Sequence, residues 1–169
     1  MGGAVSLSQS VTSDRQLARV LQVGVVLEEL VEARAYEHYR SLAEGDGEAM
    51  EEAVEELLLE AREESGEHRE RIEALVRELD AESLAHGEIE ALVQQKYGRS
   101  KPESVEALLH DQLASEETAH NYYDGVIAAI EASDAEFGID REHLLAELRD
   151  IRAEEAEGAE EVNEVIEAR

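Results

Sequence analysis

Along most of the chain, apolar residues return every three or four positions, which is the spacing of one face of a helix. Four such runs are long. The first contains Leu17, Val20, Leu21, Leu27, Val31, Ala35, Tyr39 and Leu42. It predicts a helix over 13–43, capped by Ser13 or Asp14 and stopped by Gly45-Asp46-Gly47, since Gly accepts the left-handed backbone of a helix end. The second, with Val54, Leu57, Leu58, Ala61, Ile72, Leu75, Val76 and Leu79, predicts a helix over 48–79. The third runs through Val105, Leu108, Leu109, Leu113, Ala119, Tyr123, Val126, Ile127 and Ile130. It predicts a helix over 104–132 with Ser104 as cap and Pro102 just outside. The fourth, with Leu144, Leu145, Leu148, Ile151, Val162, Val165 and Ile166, predicts a helix over 140–167 capped by Asp140.

Between 80 and 103 the pattern weakens. A short helix is expected near 89–95, and Tyr97-Gly98-Arg99-Ser100-Lys101-Pro102 follows, holding the only proline. That span is far longer than the roughly 2–8 residues of a helix–helix turn. Two short turns and one long connection predict an all-α protein, an antiparallel four-helix bundle whose crossover lets helices two and three run parallel. Residues 1–12 are expected to form a flexible N-terminus and 13–169 the bundle. A competing up-down-up-down bundle would not need the long crossover.

An internal repeat agrees with two helical hairpins. Glu32-Ala33-Arg34-Ala35-Tyr36-Glu37-His38-Tyr39 and Glu116-Glu117-Thr118-Ala119-His120-Asn121-Tyr122-Tyr123 both read Glu-x-x-Ala-x-x-x-Tyr, 84 residues apart. An offset of 87 lays Leu57, Leu58 and His68 over Leu144, Leu145 and Glu155. Chance likeness among Glu- and Ala-rich helices is the alternative reading.

Composition narrows the function classes. Asp and Glu total 43 against 15 Lys and Arg, a formal net charge of −28. Such a surface repels a phosphate backbone and an anionic lipid face, so neither nucleic acid nor membrane is an expected partner. Cysteine is absent, which removes disulfides, thiol nucleophiles and thiolate-held metal clusters. Lysine occurs only twice, at Lys96 and Lys101. High acid with low lysine resembles the proteins of salt-in halophiles, where molar salt shortens the Debye length to about 3 Å and screens self-repulsion. The longest apolar stretch, 20–31, is interrupted by Gln22, Glu28 and Glu29, too short and too charged for a membrane helix. No cationic, apolar leader opens the chain, and a cytoplasmic location is expected.

Polar residues inside the stripes carry the candidate chemistry. On helix two, His68 lies mid-stripe, seven residues after Ala61 and four before Ile72, with Glu64 one turn earlier on the same face. On helix four, Glu155 is central, seven after Leu148 and seven before Val162. On helix three, Glu117-Thr118-Ala119-His120 is a formal Glu-x-x-His, which makes His120 either a ligand or a hydrogen-bonded core histidine. A buried Glu without a partner costs several kcal/mol, so a carboxylate on an apolar stripe calls for a cation. Tyr36, Tyr39, Tyr122 and Tyr123 are expected to pack with their hydroxyls at the bundle edge.

Glu-x-x-Ala-x-x-x-Tyr on helices one and three, with the crossover order, resembles the ferritin-like and rubrerythrin superfamily. The resemblance implies Glu32 and Glu116 as ligands of a two-metal carboxylate site holding iron or manganese. Glu64, His68, Glu155 and His120 complete the expected metal set, and carboxylate with imidazole suits those metals. Ser65 and Arg152 stand where the family pattern has Glu. An inward Arg152 is expected to pair with Glu116 or Glu155 and to stand in for one metal's charge. These residues lead to two expectations. One is a metal-binding protein oxidising iron or handling peroxide, with metal ions as partners and a homo-oligomer, a dimer or larger, as its assembly. The other is a bundle whose metal site is lost and which serves as a scaffold or interaction module. No nucleophilic triad, phosphate loop or dinucleotide fingerprint is present.

Overall fold

The computed structural model describes residues 11–44, 51–79, 81, 91 and 104–169. Among these residues the regular structure is four long helices and no strand: α1 (Asp14–Ala43), α2 (Glu52–Leu79), α3 (Val105–Glu131) and α4 (Arg141–Glu167). Three of the expected caps form. Ser13 Oγ accepts from Gln16 N at 3.2 Å, Ser104 Oγ from Ala107 N at 3.1 Å, and the Asp140 carboxylate from His143 N at 3.0 Å. Each answers one of the amides a helix start leaves unpaired. α2 begins at Glu52 rather than at 48, Glu51 being non-helical. The Gly45-Asp46-Gly47 stop, the short helix near 89–95 and nearly all of the 80–103 connection lie outside the described residues.

α1 packs against α2 and α3, and α4 packs against the same two. Contacts run in a consistent register. Between α1 and α3, Val20 meets Tyr122, Glu28 meets Tyr123, and His38 meets Gln112. Between α2 and α4, Glu51, just ahead of α2, meets Arg169, while His68 meets Glu155 and Glu78 meets His143. From Glu28 to His38 along α1 the partners on α3 fall from Tyr123 to Gln112, and from Glu51 to Glu78 the partners fall from Arg169 through Glu155 to His143. The 132–140 turn is held by Arg141, which donates to the carbonyls of Ile130, Ser133 and Ala135. Asp14 accepts from Gly138 N at 2.9 Å, and Val11 is buried with its carbonyl taking the Ser133 hydroxyl.

Each inner face steps by threes and fours, the seam of knobs-into-holes packing. α1 buries Leu17, Leu21, Gly24, Glu28, Val31, Ala35 and His38; α2 buries Ala61, Ser65, His68, Ile72 and Leu75. α3 buries Leu109, Gln112, Glu116, Ala119, Tyr123 and Val126; α4 buries Leu144, Leu148, Ile151, Glu155 and Val162. The apolar core is consequently divided. One cluster gathers Leu17, Leu21, Leu75, Ile127, Ile130 and Leu144, and a smaller one gathers Val54, Leu58, Leu109 and Val162. A band of buried polar side chains separates them, with Glu28, Ser65, His68, Gln112, Glu116 and Glu155 among its members. No helix among the described residues is long and apolar enough to cross a membrane.

Candidate metal centre

His68 is the hub of the polar band and is fully buried. Its Nδ1 stands 3.1 Å from Glu155 Oε2 and 3.4 Å from Glu28 Oε2. Its Nε2 stands 2.8 Å from Glu154 Oε1. Both ring nitrogens therefore face carboxyl oxygens, and a doubly protonated ring donates to both at once. Burial alone lowers the pKa of an imidazole. Here the hydrogen bonds and charges of Glu155 and Glu28 outweigh burial and hold His68 up at about 11.

Glu28 enters from α1 and is fully buried. Tyr123 donates its hydroxyl to Glu28 Oε2 at 2.5 Å, and burial, with the nearby Glu28, raises that phenol well above its ordinary value. The other oxygen, Glu28 Oε1, is buried with no hydrogen-bond partner. An unanswered carboxyl oxygen in a dry interior is costly.

Glu155 and Glu116 form a second layer. Burial pushes both carboxyls up; Glu28's charge adds to the rise of Glu155, and a hydrogen bond between Glu116 and Glu155 holds the rise of Glu116 back. Glu64, half-buried beside them, is pushed up to about 7 by burial, with His68 opposing and Glu116, Glu154 and Glu161 reinforcing. Gly158 leaves room for Glu116: a Cβ there would lie 2.8 Å from Glu116 Oε1. Glu154 is held below the ordinary carboxylate range despite burial, because His68 and Arg71 both face it.

Three overlapping sets of ligand atoms lie within 4.8 Å of one another: Glu28, His68 and Glu155; Glu64, His68 and Glu154; and Glu64, Glu116 and Glu155. These groups can hold a metal ion. The first set is wholly buried and comes from three helices. Glu64, His68 and Glu155 each belong to two of the sets.

Of the residues nominated from sequence, the fold brings Glu64, His68, Glu116 and Glu155 together. It does not bring Glu32 or His120. Glu32 turns away to a surface groove with Arg62 and Arg69, and Arg69 pairs with it at 3.4 Å. The α1 carboxylate in the cluster is Glu28, one turn earlier. Glu32 follows Val31 directly and stands about 100° round from it, about 40° beyond Glu28 and off the edge of the seam, whereas Glu28 sits on it, three before Val31 and seven before Ala35. His120 is half-buried next to Ala119, again one residue off the seam. Arg152 is not inward: it pairs with the exposed Asp124 at 2.8 Å and neutralises neither Glu116 nor Glu155. Tyr123 likewise turns its hydroxyl into the core rather than to the bundle edge. The one sequence signal for Glu28 is that its charge breaks the apolar run 20–31, and that does not by itself separate it from Glu32. The matched contacts of the two halves are then Glu28 with His68 and Glu116 with Glu155, offset by 88 and 87 residues.

No protein-family model, no curated protein and no solved structure matches the chain.

Proposed function

We propose that this chain is a ferritin-like bundle that binds a divalent transition metal, iron(II) or manganese(II), through Glu28, His68 and Glu155. Glu64 and Glu116, which share Glu155, would hold a second, weaker ion. The observation that carries the reading is Glu28, a fully buried carboxyl whose Oε1 has no partner and whose Oε2 stands 3.4 Å from the His68 imidazole, grouped with Glu155, a second buried carboxyl. Four carboxyls and one imidazole within a small space suit iron or manganese better than a soft metal. Bringing a metal in at neutral pH displaces protons from His68 and from the raised carboxyls, so uptake is coupled to proton release. Oxidation of iron(II), or the handling of peroxide, is the activity such a centre would support.

The antiparallel, ferritin-like arrangement is part of the proposal. What supports it is the falling-against-rising register of α2 with α4 and, from Glu28 to His38, of α1 with α3, together with the long 80–103 span between α2 and α3.

A scaffold is the second reading. The observation favouring it is that a protonated His68, bonded at both nitrogens, already satisfies much of the polar band. The discriminating experiment loads the protein with Mn²⁺ or Fe²⁺ in high salt, desalts it and counts metal per chain by elemental analysis. The metal reading expects at least one ion retained, and loss of that ion in Glu28→Ala and Glu155→Ala but not in Glu32→Ala. Wild-type protein that retains none would leave the scaffold reading.

A further inference from the structure

Next to the carboxyl cluster runs a hydrogen-bond chain that the metal reading does not use. His38, on α1, is buried, and its Nε2 stands 2.9 Å from Asp111 Oδ2. Its Nδ1 stands 3.2 Å from Gln112 Oε1, and Gln112 Nε2 stands 3.3 Å from Glu116 Oε2. Gln112 is fully buried. The charged groups facing His38 are Asp111 and Arg34, and Arg34 lies 3.9 Å from Asp111.

A carboxamide has one accepting end and one donating end, and here both ends are engaged. If Nδ1 of His38 carries a proton, it donates to Gln112 Oε1, and the amide nitrogen is left to donate to Glu116. If Nδ1 is bare, the amide nitrogen must turn to it, and the carbonyl then faces Glu116. Only a protonated Glu116 carboxyl can answer that carbonyl.

We propose that His38 is a positioning residue for the buried carboxyl cluster: the proton on its Nδ1 selects which end of the Gln112 carboxamide meets Glu116. His38 touches no residue of the proposed metal set and acts only through Gln112. The role of Glu116 as a ligand rests on the metal reading above; the coupling from His38 to Glu116 does not.

The test therefore has a metal-free arm. Full-length protein is labelled with ¹⁵N in the histidine rings, and the His38 ring nitrogens are followed by nuclear magnetic resonance. Glu116→Gln should shift them, although Glu116 does not contact His38, and Gln112→Leu should abolish that response. Unmoved His38 resonances overturn the inference, whatever the protein does with metal. This arm leaves His38 intact, so it holds even if a His38 variant fails to fold.

The second arm measures Mn²⁺ affinity. His38→Leu and Gln112→Leu should each weaken it about 10–100-fold, the range for residues that orient ligands. The double variant should be no weaker than the worse single one. His38→Asn, whose amide nitrogen stands where Nδ1 does, should restore affinity. Additive losses, or no rescue by Asn, overturn the inference. Absence of Mn²⁺ binding by the wild type refutes the metal centre and leaves the coupling to be decided by the resonance arm.

Discussion

At the scale of single residues, His68 is the group on which the polar band depends. Replacing it by Leu removes the cation between Glu28, Glu154 and Glu155 and leaves buried carboxyls facing one another. The expected loss is about 3–5 kcal/mol of stability, read from urea unfolding in high salt. The titrations have a definite sign. Glu64 rises from 4.5 unfolded to about 7 folded, so the fold binds its proton more tightly. Its contribution is full below about 4.5 and is lost as pH climbs to about 7. His68 rises from 6.5 to about 11, and its contribution fades over that higher window. Metal-free protein should accordingly lose stability from pH 4.5 to 7, and Glu64→Gln should flatten that part of the profile. A melting temperature with the same slope in both proteins would count against the shift at Glu64.

At the scale of helices, three helical glycines stand at close approaches, and they do different things. At Gly24 a Cβ would stand 2.6 Å from the Tyr122 hydroxyl, which donates to the Val20 carbonyl, so Gly24→Ala should force α1 and α3 apart. A cost of about 1–3 kcal/mol is expected by differential scanning calorimetry. Gly66 and Gly158 form a sharper pair. A Cβ at Gly66 meets only the end of Glu32 at 3.3 Å, a half-exposed side chain free to swing. Gly66→Ala should thus gain helix propensity, up to about 1 kcal/mol. A Cβ at Gly158 lies 2.8 Å from Glu116 Oε1 inside the cluster. Gly158→Ala should displace that carboxyl and weaken Mn²⁺ binding, while Gly66→Ala leaves it unchanged; equilibrium dialysis of the two variants separates these outcomes.

For the whole molecule, charge sets the working conditions. A net −28 over 169 residues repels itself at low ionic strength, and the apolar core that opposes this is split in two by the polar band. Screening by salt should relieve the repulsion. Circular dichroism from molar potassium chloride to dilute buffer should show melting temperature falling steadily as salt is withdrawn. A melting temperature independent of salt would mean that the surface ion pairs, such as Arg71 with Glu147 and Arg149 with Glu131, already balance the field. Mn²⁺ at millimolar concentration should raise the midpoint beyond what its ionic strength explains, since a ligand bound only by the fold adds RT ln(1 + [L]/Kd).

The four long helices, their ends apart from the start of α2, and three caps follow from local rules, and these were legible in the chain itself. A 3.6-residue period and a Ser or Asp before it depend on nothing farther than a few residues away. His68 and Glu155 were legible for the same reason: each is flanked by apolar residues at seven-residue spacing that place it on the inner face. The partner on α1 was not, because two glutamates one turn apart, Glu28 and Glu32, both fit a helical stripe loosely. Their difference of about 40° in facing is resolved only by where α2 and α3 pack against α1. The same holds for Arg152, a long side chain beside Ile151 whose direction depends on finding Asp124 across the α3–α4 seam. Sequence periodicity determined which face of each helix is buried. Tertiary packing alone decided which polar groups on those faces meet, because a contact between helices depends on their relative rotation and axial register, and a helix carries no record of either.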